Sequence, residues 1–121
     1  MYHNISVGKV GEEIAGRFLE QKGYKILERG FRSRRWGELD LVCEEGKVLV
    51  FVEVKTRISS EFGSPEESIT YFKKRSLKRA VLYYCQTHPN CSKSLRMDVL
   101  SVTLNDDRKS VCEIKHYENA F

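Results

Sequence analysis

The chain has 121 residues, 40% of them hydrophobic and 11% aromatic, which suffices for one domain with its own core and excludes a disordered chain. A net charge of +4 suits a polyanionic partner without requiring one. The longest apolar run falls far short of the ~20 residues of a membrane span, and Met1 to Ser6 holds no apolar signal core, so a single cytoplasmic domain over residues 1–121 is expected.

Asn4 or Ser6 can cap a first helix from about Val7 to Lys22, with Gly23 ending it. Its apolar stripe is Val7, Val10, Ile14, Ala15, Phe18 and Leu19. At about 100° per residue Glu12 falls at the edge of that stripe, either turned toward a sheet or solvated, while Glu13 joins Arg17 and Glu20 on the polar side. Tyr24 to Phe31 alternates loosely and predicts a first strand. Arg29, Arg32, Arg34 and Arg35 then precede Trp36-Gly37, which is either a solvated strand end or a phosphate-contacting patch with an aromatic beside it.

From Trp36 to Arg57 two β-rich runs flank a tight turn placed at Glu45-Gly46. Val48 to Val54 is β-branched or aromatic at nearly every position, as in a strand buried on both faces. Side chains alternate along a strand, so Glu53 and Lys55 share the face of Phe51 and Leu49. Pairing Glu44 with Lys47 puts Asp40 opposite Phe51 and Glu38 opposite Glu53. A four-residue loop pairing Cys43 with Val48 gives the same register. Asp40 and Glu53 then become diagonal neighbours on one face. A three-residue loop would turn Asp40 to the other face.

Ser64-Pro65-Glu66-Glu67 fits a capping box opening a long helix to about Gln86, whose start could equally lie near Thr70. Its expected core face is Ile69, Phe72, Leu77, Ala80, Val81 and Tyr84. Lys73, Lys74, Arg75, Lys78 and Arg79 on the same helix make either a solvated face or a phosphate-facing one. Leu95 to Leu104 predicts a fourth strand with Arg96 and Asp98 on one face, and Ser110 to Tyr117 an edge-like fifth. The order helix, three strands, helix, two strands implies an α+β fold: an antiparallel meander, a helical crossover, and a mixed sheet flanked by helices. Cys43, Cys85, Cys91 and Cys112 lack metal-like spacing and read as reduced thiols, three of them buried.

Two carboxylates beside an ammonium in an apolar sheet match what metal-assisted phosphodiester hydrolysis asks for. Mg2+ or Mn2+ takes one or two carboxylates and keeps several waters. Asp40 and Glu53 meet that need, Glu12 adds a ligand directly or through water, and Lys55 orients water or steadies phosphate charge. The plainer reading is an ordinary salt bridge of Lys55 with Glu53 or Asp40.

Asp40 followed by Glu53-Val54-Lys55 on adjacent strands resembles the pattern of restriction-endonuclease-like nucleases, the PD-(D/E)XK class. The whole chain resembles the YraN family of small bacterial proteins assigned an endonuclease-like fold. The motifs that carry this are Gly8 to Ala15, Gly23-Tyr24, Trp36 to Leu41, Phe51 to Arg57, Lys73, Arg96-Met97-Asp98 and His116 to Phe121. Leu39 stands where the class has proline, Gly30 replaces a commoner Asn, and Tyr71 a commoner Pro. The resemblance implies Glu12, Asp40, Glu53 and Lys55 as the active site of a nuclease, similar to archaeal Holliday-junction resolvases. On this reading Arg34, Arg35, Arg57, Lys73 and Lys74 contact nucleic acid, DNA before RNA, with branched and damaged DNA among the forms considered. A non-catalytic nucleic-acid-binding module and a protein-interaction domain are the rival readings, and homodimerisation stays open.

Overall fold

A computed structural model describes residues 6–60, 71–88 and 94–120. The expected capping box at Ser64 to Glu67, the Ile69 and Phe72 side chains, Asn4 and Cys91 lie outside the described residues. Helix α1 runs Val7–Gln21 and is followed by strands β1 Lys25–Arg32, β2 Glu38–Glu45 and β3 Val48–Ile58. Helix α2, Tyr71–Thr87, then leads to β4 Ser94–Leu104 and β5 Val111–Tyr117.

Ser6 caps α1 by accepting the Lys9 N–H at 3.2 Å. The helix stops in a Schellman turn: Tyr24 N–H donates to Leu19 C=O and Gly23 N–H to Glu20 C=O, both at 3.0 Å. Gly11 and Gly16 are buried where α1 meets the sheet. A side chain on Gly11 would strike Thr56, its Cβ standing 2.7 Å from the Thr56 Cβ.

The five strands form one sheet in the order β1-β2-β3-β4-β5. The first three are antiparallel, β3 and β4 are parallel across the α2 connection, and β5 returns antiparallel along the edge. This is the expected α+β arrangement of a mixed sheet with two helices, compatible with a restriction-endonuclease-like fold. Each face carries a core. Ala15 and Leu19 of α1 pack on Leu41, Val50, Val52 and Leu100. Leu77, Val81 and Tyr84 of α2 pack on Leu39, Val42 and Phe51. Among the described residues no helix is long and apolar enough to cross a membrane.

The β2–β3 register differs from the expected one by two residues. Glu45 pairs with Val48 and Leu41 with Val52, so the turn is Gly46-Lys47 rather than Glu45-Gly46. Gly46 takes φ +57°, the positive φ that a two-residue hairpin turn needs at its first position and that glycine adopts without strain. Continued, this count sets Asp40 opposite Glu53, not diagonal to it, and Glu38 pairs with Arg32 of β1 instead. Gly30 sits at φ +62°, the left-handed region that glycine and asparagine tolerate best. The expectation of three buried cysteines is corrected: Cys43 is buried, Cys85 half-buried and Cys112 exposed.

Candidate active site

The site begins where β2 and β3 stop pairing through their backbones. There the Asp40 carboxylate reaches across and its Oδ2 accepts the Val54 N–H at 2.9 Å. Glu53 is buried at 6% exposure, since β3 is covered by its neighbours on both sides. Glu53 Oε1 is bracketed by two ammonium groups, Lys55 Nζ at 3.5 Å and Lys73 Nζ at 3.4 Å. Glu53 Oε2 is buried with no donor facing it.

Asp40 lies within reach of Glu53. Burial, then the Glu53 charge and a hydrogen bond shared with Glu53, push the Asp40 carboxyl up to about 7, against the Val54 N–H that pulls it down. Glu12 adds a smaller push in the same direction. A donorless buried oxygen beside a second, half-buried carboxylate is satisfied by a proton or a cation held between them. Two neighbouring carboxylates are a donor set of the kind a hard divalent cation takes. Among the described residues no three His, Cys, Asp or Glu side chains gather at metal-holding distance. Glu12 is half-buried, stands 3.8 Å from Lys9 Nζ, and is felt at Asp40 only as a small charge effect.

Lys55 is one-quarter exposed and turned onto Glu53. Lys73, expected on a phosphate-binding surface, reaches the carboxylate itself from α2. Lys74, Arg34 and Arg35 are exposed, and Arg57 is half-buried two residues beyond Lys55. The four arginines before Trp36 do not form one patch. Arg29 packs beneath Gly16 of α1 on the other face, and Arg32 pairs with Glu38 at 3.8 Å.

Two features went unread at the residue level. Arg79 of α2 lies over the Trp36 ring at 4.5 Å, a contact that only the folded chain brings together. Asp98, fully buried, takes both Arg96 Nε and Nη2 at 2.9 Å, His116 Nε2 at 2.7 Å and the Asn119 N–H at 2.9 Å. The shared face of Arg96 and Asp98 was the available signal. Their partners come from elsewhere in the chain: Tyr24 from the link between α1 and β1, Glu45 from the end of β2 and His116 from β5.

The family model described as uncharacterised protein family UPF0102 matches residues 11–102. A UPF0102 protein of Syntrophomonas wolfei is 48% identical over 98% of this chain and 99% of its own length. One of Geobacter metallireducens is 43% identical over 98% and 94%, and one of Caldicellulosiruptor saccharolyticus 44% over 95% and 96%.

Proposed function

The chain belongs to the UPF0102 family, the YraN family its motifs resemble, and from that premise and the site's geometry we propose that it is a metal-dependent nuclease hydrolysing phosphodiester bonds in DNA. Branched and damaged DNA are the substrate forms to test first. The carrying observation is Glu53: one oxygen between two ammonium groups, the other buried and donorless beside Asp40.

Asp40 and Glu53 would hold Mg2+ or Mn2+, with Glu12 acting through water. When bound, such an ion supplies a Lewis acid and a water of lowered pKa. Lys55 sets its ammonium against Glu53, where it also meets a phosphate oxygen as charge develops. Lys73 adds a second ammonium from α2. Lys74, Arg34, Arg35 and Arg57 hold the DNA backbone.

The pairing of Glu53 with Lys55 and Lys73 also suits a second reading, a binding module of the same fold without turnover in which these groups are an ordinary ion pair. Linear, single-stranded and four-way DNA incubated with Mg2+ or Mn2+ separates the two. Cleavage by wild type and none by Glu53→Ala supports the nuclease. Metal-independent, salt-sensitive binding without cleavage supports the module.

A further inference from the structure

The tip of the β1–β2 hairpin is a pinned turn. Ser33 is fully buried, its Oγ donates to Gly37 C=O at 2.6 Å and its N–H to the same oxygen at 3.0 Å. Trp36 N–H donates back to Ser33 C=O at 3.2 Å. The turn presents the Trp36 ring, half-buried, against the core on the α2 face, the face that Glu53 and Lys73 occupy. The Arg79 guanidinium lies over the ring at 4.5 Å and Arg35 at 6.0 Å.

An indole with a guanidinium laid on it is a positively charged π surface. Nucleobases stack on both groups, whatever their sequence, and the cations draw in the flanking phosphates. Bases inside a duplex are already stacked on one another, so the matching ligand is an unpaired base. Four residues of chain separate Trp36 from Asp40, at most about 14 Å when extended. Six residues of helix separate Arg79 from Lys73, about 9 Å along the axis. At about 3.4 Å per stacked nucleotide, these spans amount to no more than about four nucleotides.

Resting on the nuclease reading, we infer that Trp36, with Arg35 and Arg79, is the stacking platform for an unpaired DNA base within about four nucleotides of the phosphate at Glu53 and Lys55. It selects DNA with a single-stranded or branched stretch over a continuous duplex.

Trp36 is the one tryptophan of the chain, so its emission reports on the platform directly. The test titrates the metal-free full chain with a dye-labelled oligothymidylate and with a closed-ended duplex. Probe anisotropy reads binding and tryptophan emission reads stacking. Emission quenched in step with oligothymidylate binding, and not by duplex, supports the platform. Trp36→Ala should weaken oligothymidylate binding about ten-fold while leaving the duplex unchanged, with Trp36→Phe keeping most of the affinity. Binding with an unmoved emission overturns the platform, as does an equal loss for both probes in Trp36→Ala, and Trp36 is then only a brace between hairpin and α2. Duplex cleavage with a silent Trp36 overturns the platform and leaves the nuclease standing. Quenching without cleavage of any substrate does the reverse. Failure of both probes to bind overturns both.

Discussion

Burial and the neighbouring Glu53 charge raise the Asp40 carboxyl, and that ties stability to pH. Its folded value of about 7 stands above the ordinary 3.8. A raised carboxyl contributes its stability in full below about pH 4, and the contribution is lost as pH rises through the folded value. The metal-free protein should therefore melt at a lower temperature at about pH 8 than at about pH 5, and Asp40→Asn should flatten that slope. A cation binding only the folded form takes the proton's place. At a hundred-fold excess over Kd it adds about 2.7 kcal/mol. Thermal melts with millimolar Mn2+ at about pH 8 should show that gain for wild type and for Lys55→Ala, whose ammonium is no ligand, and not for Glu53→Gln. A wild-type midpoint indifferent to both pH and metal would refute the strained carboxylate pair.

At the scale of elements, α2 brings cations to the site in two different ways. Lys74 is exposed and Lys73 touches Glu53. Lys74→Ala should lower the salt slope of DNA binding by about one unit and leave the melting midpoint in place. Lys73→Ala should change the metal-free midpoint as well, because Glu53 keeps only Lys55 beside it. Equal behaviour of the two variants, in binding and in melts, would place Lys73 on the solvated face with Lys74. Sequence patterning made the elements legible: α1 with its cap and Gly23 stop, the doubly buried β3, and the crossover helix. The β2–β3 register was not legible to the residue, since Glu45-Gly46 and Gly46-Lys47 are both plausible turns. Because the two differ by two residues, alternation kept Glu53 and Lys55 on the expected face. Arg29 leaving the arginine cluster was hidden for another reason. What draws it away is Gly16 on α1, a gap that appears only when helix and sheet close. Gly11 likewise looks like a poor helix residue until Thr56 is seen against it.

Across the whole molecule the buried Asp98 does what no single element can. Arg96 carries its charge onward to Glu45 at the β2–β3 turn, at 3.0 Å, and to Tyr24 after α1, at 2.6 Å. His116 of β5 binds Asp98 through Nε2 and accepts Lys22 Nζ on Nδ1 at 2.8 Å. The Asn119 N–H ties in the chain beyond β5. Burial works against the Asp98 charge, but the hydrogen bonds from His116, Arg96 and Asn119 outweigh it and hold the carboxyl below its ordinary value. Its linkage therefore has the opposite sign to that of Asp40. The stability it adds is present above about pH 4 and lost as pH falls through its lowered folded value. The two carboxylates bound the stability curve, Asp98 on the acid limb and Asp40 on the rise toward neutrality. Asp98→Ala removes the buried carboxylate shared by Arg96, His116 and the Asn119 N–H and should lower stability by about 3–5 kcal/mol, a midpoint drop on the order of 10 °C for a domain of this size. It should also remove Asp98's share of the acid limb. Below the new midpoint the salt slope of DNA binding should stay as in wild type, because the basic surface on α2 and the hairpin tip is untouched. Melts across a pH series, paired with salt titrations at low temperature, check both halves. A changed salt slope in folded Asp98→Ala would mean that this network serves binding rather than the scaffold.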